Sequence, residues 1–424
     1  MKKRTAVLIL TLTLIFAFAI VLTDYYRSIY VSSLKEAKEN SLVSNDASDV
    51  FLQEETNNEE TNIENSATFC FFGDNLIHEN VLNFANKQVG AAGNRSSFQQ
   101  GFDFKPLYKN VLPLIESADF SVCNQASLVG ANDLTDALSG YPLFNSPSVL
   151  GKDLVSIGFD AVNIGNNHLL DMGYGGLKKS IEFWKTQNIK LIGGYKTKEE
   201  KTEVDNKIIL VNGIRIAFLS YTANTNGLYD AKGDCIPYFT LRGTEILKQM
   251  LEEEVKKCDE QSDLIIVMIN WENSAGFEVT EFQKKTAGIL CNAGADIIIG
   301  SGPKTIQTVE WLTREDGSKT LCAYSLGNFI GTMQYTENLV GGALNIEICK
   351  KNDKIEIDNV LFIPTVIHYN KDFTEIAVIP LEDYSAELFS RHGSNILYGD
   401  TDFSVLKEIV VKEISSDFLS PAVR

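Results

Sequence analysis

Short apolar runs of roughly four to eight residues alternate along this chain with segments of helical periodicity, which predicts interleaved strands and helices. Residues 67–72 predict a strand that ends in Gly73-Asp74-Asn75, and residues 119–123 a second that ends in Asn124-Gln125. Between them, residues 106–116 carry Leu107, Val111, Leu114 and Ile115 on one helical face. A helix over 150–157 leads into the β-branched run 161–164. The chain then turns at Gly165 into Asn166-Asn167-His168, and a helical pattern resumes near Leu169. Residues 177–186 predict a helix and 189–192 a strand. Residues 207–211 and 214–220 straddle Asn212-Gly213, a two-residue hairpin signal. Residues 241–258 carry Lys and Glu at helical offsets. Strands follow at 263–269, 295–299 and 321–326, with a helix over 280–292. Residues 342–349 and 354–362 flank Lys351-Asn352-Asp353 as a second hairpin, and one helix at 403–411 marks the tail. The expected class is α/β with added hairpins. There is no internal repeat, no G-x-G-x-x-G and no P-loop.

Several of these strands end in polar residues: Asp74, Asn124, Asn166 to His168, Asn270, Ser301 to Lys304 and Asn328. Polar groups at the same end of several strands converge on one crevice, where α/β proteins place their chemistry. Asp, Asn and His in such an array suit one or two divalent metals, which activate water and clamp an oxyanion. A plainer reading stands beside this one. Asn166 and Asn167 are also turn formers, Asp74 a capping residue, Asn328 a turn, Lys304 a solvated lysine, and Trp271 and Trp311 packing residues.

Charge narrows the partners. The 424 residues carry 38 Lys+Arg against 56 Asp+Glu, a net charge of −18. That argues against nucleic-acid binding, which depends on neutralising phosphates. Residues 5–23 hold no charge and span roughly 28 Å as a helix, about one hydrocarbon core. Lys2, Lys3 and Arg4 precede them, so residues 1–4 are expected in the cytoplasm and the remainder outside, as a single-pass membrane protein. A cleaved signal peptide with Ala17-Phe18-Ala19 at its cleavage site is the alternative. Residues 24–66 read as an acidic flexible linker. None of the seven cysteines is spaced C-x-x-C; Cys70, Cys123, Cys322 and Cys349 lie in apolar runs, as buried free thiols do.

Against this background the order of short motifs resembles the CapA family of capsule and poly-γ-glutamate synthesis proteins, a family similar in fold to calcineurin-like metallophosphoesterases. The matching stretches include Gly73-Asp74-Asn75-Leu76-Ile77-His78, Asp119-Phe120 through Asn124-Gln125, and Ser139-Gly140-Tyr141-Pro142. Then come Gly158-Phe159-Asp160-Ala161-Val162-Asn163 and Asn167-His168-Leu169-Leu170-Asp171-Met172-Gly173. Ala293-Gly294-Ala295-Asp296 and Tyr324-Ser325-Leu326-Gly327-Asn328-Phe329 complete the series. The resemblance implies a four-layer α/β/β/α metallophosphoesterase-like sandwich over residues 67–380, with 381–424 as a C-terminal extension. It also implies placement on the outer face of a bacterial membrane, with polymer-synthesis membrane proteins as partners. Carried over residue by residue, it makes Asp74, His78, Asn124 and Asn167 ligands of a divalent metal (Mn, Fe or Zn). His168 becomes the group that protonates a leaving oxygen.

The chain departs from that pattern where the ligands should lie. Ala126 stands where the family has Glu after Asn-Gln. Asn270-Trp271-Glu272-Asn273-Ser274 replaces His-Trp-Gly-x-Glu, and Gly300-Ser301-Gly302-Pro303-Lys304 replaces Gly-x-His-Pro-His. The substituted positions are thus Ala126, Asn270, Gly302 and Lys304. Of the four histidines, only His78 and His168 fall in the motifs; His368 and His392 do not. Glu272 is a substitute ligand on this reading, and the Lys304 ammonium a replacement for metal charge that would bind an oxyanion. Three functions compete: a part of the capsule or poly-γ-glutamate machinery with a degenerate site, an active hydrolase using Asp74, His78, Asn167 and His168, and a non-catalytic envelope binding or sensor module.

Overall fold

The computed structural model describes residues 65–90, 101–131, 136–229, 244–271, 276–394 and 402–424. The expected membrane segment at 5–23 and nearly all of the acidic linker lie outside them. No helix among the described residues is long and apolar enough to cross a membrane.

The strands, in chain order, are β1 (Asn65–Asn75), β2 (Phe120–Gln125), β3 (Leu128–Ala131), β4 (Asn145–Pro147), β5 (Ala161–Asn163), β6 (Lys190–Ile192), β7 (Ile208–Val211), β8 (Ile214–Thr222), β9 (Leu264–Asn270), β10 (Ile297–Ser301), β11 (Ile306–Thr313), β12 (Lys319–Leu326), β13 (Asn328–Ile330), β14 (Val340–Lys351), β15 (Lys354–Tyr369) and β16 (Ile376–Pro380). One sheet runs β16-β15-β14-β1-β2-β5-β6, with β13 also paired to β1. A second runs β11-β12-β10-β9-β8-β7, and β3 with β4 form a small third. In the first sheet β1, β2, β5 and β6 are parallel, as are β8, β9, β10 and β12 in the second. Each large sheet therefore gathers the carboxyl ends of four strands on one edge.

Two-residue alternation builds the layers. In β1, Phe69 and Phe71 turn into a core shared with Phe218, Ile266 and Ile297 of the second sheet. Cys70 and Phe72 turn the other way, onto Leu107, Leu154, Ile181 and Trp184. In the second sheet Leu219, Ile265 and Ile298 face outward onto Leu251, Val255, Ala287 and Leu290. The sheets thus pack on each other, and helices cover both outer faces. Strands buried on both faces read as continuous apolar runs, as in the fully buried β9, LIIVMIN. The tail joins the inter-sheet core through Leu406, Val410, Ile414, Phe418 and Val423.

Several boundaries differ from the sequence reading. β1 begins at Asn65, opposite Lys350, so the last residues expected in the linker belong to the sheet. The helix expected over 106–116 is two, Lys105–Tyr108 and Leu112–Glu116. Pro113 has no N–H to continue a helix and sits in the first turn of the second one. The helix expected from Leu169 starts at Gly173. Residues 169–172 instead make successive tight turns, with Asp171 N–H donating to the His168 carbonyl at 3.2 Å. The Asn212-Gly213 hairpin forms, with both residues at positive φ (46° and 82°). The helix at 280–292 is Glu281–Ala293, started by a Thr280–Gln283 capping box and stopped by Gly294 at φ 111°. The six cysteines among the described residues are free and buried, including the four in apolar strands.

Candidate functional site

Asp74 is the penultimate residue of β1, and its carboxylate is 1% exposed. It reaches that depth because β1 approaches the turn after β12 closely. A Cβ on Gly73 would stand 2.3 Å from the Gly327 carbonyl oxygen, and Asp74 N–H donates to that oxygen at 3.0 Å. A buried carboxylate needs donors and a counter-charge. Asn124 Nδ2 donates to Oδ1 at 2.5 Å, and the Lys304 ammonium donates to Oδ2 at 2.5 Å. From Asn124 the hydrogen bonds run on across the strand ends. Asn163 Nδ2 donates to Asn124 Oδ1 at 2.8 Å, and Ser220 Oγ of the second sheet donates to Asn163 Oδ1 at 2.7 Å. Two bridges, Lys304 to Asp74 and Ser220 to Asn163, therefore fasten one sheet to the other at the site. Beneath them is a void of about 10 Å³, bounded by Gly73, Asn124, Asn163 and Ser301, with room for about one water.

Lys304 is not a solvated lysine. Its side chain is 15% exposed, its φ is +64°, and its carbonyl accepts from Asn328 Nδ2 at 3.0 Å and Asn338 Nδ2 at 2.9 Å. Nor does the ammonium stand free to hook an oxyanion, as the sequence suggested, because it is paired with Asp74. Asn328, expected as a turn residue, is instead the first residue of β13 after the turn at Gly327, and its amide pins this loop.

A second group centres on His168, which is 7% exposed. Its Nδ1 lies 2.9 Å from Asp171 Oδ2, which also accepts from the Phe144 N–H at 2.7 Å. Asn226 Nδ2 lies 3.2 Å from the same nitrogen, so Asp171 and Asn226 both address Nδ1. The tight turns at 169–172 bring Asp171 to this position. Asn166 Oδ1 accepts the His168 backbone N–H at 3.0 Å, and Asn167 Nδ2 donates to Asn226 Oδ1 at 3.1 Å. Asn167 Oδ1 is buried with no partner among the described residues. Phe144 stands edge-on between the two motif histidines, its ring centroid 5.5 Å from His78 and 4.7 Å from His168. His78 Nδ1 accepts the Thr332 N–H at 2.9 Å. Burial, then the nearby charges of Lys304 and His168, push the His78 imidazole down to about 4, so at neutral pH it is uncharged.

Asp74, His78, Asn124, Asn167 and His168 thus lie at one edge of the two sheets, beside Lys304. The substituted positions have become structure. Ala126 is buried in a small apolar cluster with Leu76 and Phe144. Asn270 Nδ2 donates to Ser301 Oγ at 3.2 Å, and its Oδ1 accepts from Thr222 Oγ1 at 3.3 Å. Gly302, at φ 112°, lies where a Cβ would meet the Trp271 carbonyl at 3.0 Å. Trp271 itself is fully buried, with Nε1 donating to the Tyr324 carbonyl, as a packing residue. Glu272 lies outside the described residues. Sequence reasoning included Asp171 in a matching stretch without giving it a role, and passed over Phe144, Asn226 and Asn338, which carried no signal. His368 and His392 stand apart from the site as a pair, with ring centroids 5.4 Å apart.

The donor set among the described residues does not fit a dinuclear metal centre. Among the described residues no three His, Cys, Asp or Glu side chains are placed around one ion position. The carboxylate that remains is matched to an ammonium, and zinc, iron and manganese sites are not built from amides and one imidazole.

Comparison with known proteins adds the following. The family model described as bacterial capsule synthesis protein PGA_cap matches residues 68–333. The chain is 29% identical over 186 residues to the PGA biosynthesis protein CapA of Bacillus subtilis (strain 168), covering 44% of this chain and 46% of that protein. It is 28% identical over 187 residues to the capsule biosynthesis protein CapA of Bacillus anthracis, covering 44% and 43%. These matches span less than half the length of each curated relative. Among solved structures, the calcineurin-like phosphoesterase YfkN from Bacillus subtilis is similar at a TM-score of 0.36 and 10% identity, over 82% of this chain and 97% of that one. A likeness of that size carries no argument about activity.

Proposed function

We propose, from the premise that this chain belongs to the bacterial capsule synthesis protein PGA_cap family, that it serves in making or exporting a cell-envelope polymer of the capsule or poly-γ-glutamate kind. On this proposal residues 5–23 anchor it in the membrane, and the two-sheet unit works outside the cell with membrane-bound synthesis proteins. Its site is a degenerate one that binds or scaffolds and does not hydrolyse. The observation that carries this reading is Asp74: both of its oxygens are engaged by Asn124 and Lys304, which leaves a metal no free carboxylate there. The test is deletion of the chain from its host, with surface polymer measured before and after complementation. Wild type and a His168→Ala variant should both restore the polymer. Polymer unchanged by the deletion would sink the proposal.

A second reading is favoured by the His168–Asp171 pair, whose geometry is that of an oriented general acid or base. An enzyme of this kind would show metal-dependent phosphodiesterase turnover that Asp74→Ala and His168→Ala both abolish. Purified protein with no bound metal and no turnover sets it aside.

A further inference from the structure

We propose that the Lys304 ammonium is the resident cation of this site, paired with Asp74 where a divalent ion would otherwise sit, so that the site is held together without a metal. This deepens the degenerate-site reading and rests on it.

The loop that delivers Lys304 is built for the purpose. Its backbone turns through Gly302 at φ 112°, which glycine adopts freely, and through Lys304 at φ 64°, which is costly for a side chain that needs only solvent. Two buried amides, from Asn328 and Asn338, converge on the Lys304 carbonyl and hold the loop in place. The ammonium then meets a carboxylate that is 1% exposed, with Asn124 on its other oxygen. A lone carboxylate at that depth would be strongly unfavourable, so the lysine completes the site electrically as well as sterically.

Among the described residues no three acid, thiol or imidazole side chains surround one ion position, so the Lys304 ammonium is the charge that the buried Asp74 carboxylate meets.

The test uses the purified full chain and Mn²⁺ as the probe. In the wild type, Mn²⁺ should leave the melting temperature unchanged, and the ¹⁵N signal of the Lys304 ammonium should persist in both EDTA and stoichiometric Mn²⁺. Lys304→Ala should bind Mn²⁺ about tenfold tighter or more than wild type and gain melting temperature with it. Adding Asp74→Asn to that variant should remove the gain. Stoichiometric, Asp74-dependent Mn²⁺ binding by the wild type, or a Lys304→Ala protein no more responsive than wild type, overturns the proposal. If Lys304→Ala does not fold, the wild-type ammonium signal decides, since paramagnetic loss by one equivalent of Mn²⁺ is incompatible with the pairing. None of these outcomes depends on the polymer assay, so failure here is distinct from failure of the envelope role.

Discussion

At the scale of single residues, the site is a set of side chains that support one another. Ala126 packs with Phe144 and Leu76, Asn270 ties Ser301 to Thr222, and Gly302 lets its backbone lie close to Trp271. Lys304 differs from these because it carries charge. Lys304→Met should destabilise the fold by about 3–5 kcal/mol, since it strands the buried Asp74 carboxylate. Asp74→Asn in the same chain should recover most of that loss. Urea unfolding of the two single variants and the double measures the coupling, and simple additivity would contradict it. The sequence made Asp74, His78 and His168 legible through their motifs. It could not reveal that Lys304 reaches Asp74, 230 residues away in the chain, because that contact depends on how two sheets stack.

At the scale of elements, strands were easier to read than their joins. Continuous apolar runs announced β9 and β12, and Asn212-Gly213 announced its hairpin. The turns at 169–172 imitate a helix in sequence, since Leu169 and Leu170 are both buried, yet there they serve to return Asp171 to His168. The Gly73–Gly327 contact is another join that no periodicity marks. Gly73→Ala would drive a methyl into the Gly327 carbonyl and push β1 away from its neighbour. We expect a loss of about 1–3 kcal/mol, and disruption of the Lys304–Asp74 pair visible in the ammonium spectrum. Thr280→Ala tests an element far from the site. It removes the capping box and should cost about 1 kcal/mol, leaving the ammonium signal untouched.

At the scale of the whole molecule, three histidines, the half-buried His78 and the buried His368 and His392, set the acid limit. Burial is the first cause in each, and His78, His368 and His392 are all pushed down to about 4. The unfolded chain takes up protons near pH 6.5 and the folded one only near 4. Stability is therefore complete above the upper value and falls through that window as pH drops, by up to about 1.4 kcal/mol per pH unit for each group. Denaturant midpoints measured from pH 7 to pH 4 should trace the fall, and His368→Gln should shallow it. A midpoint that stays flat over that range would contradict the burial of these rings. The placement of the tail has a consequence of timing. Leu406, Val410, Ile414, Phe418 and Val423 fill the space between the sheets, and every strand they cover precedes them in the chain. A growing chain cannot seal this core until residues 406–423 have left the ribosome or a translocation channel. Both sheets must wait, with apolar faces open, for that segment, and during that wait the chain is exposed to chaperones and proteases.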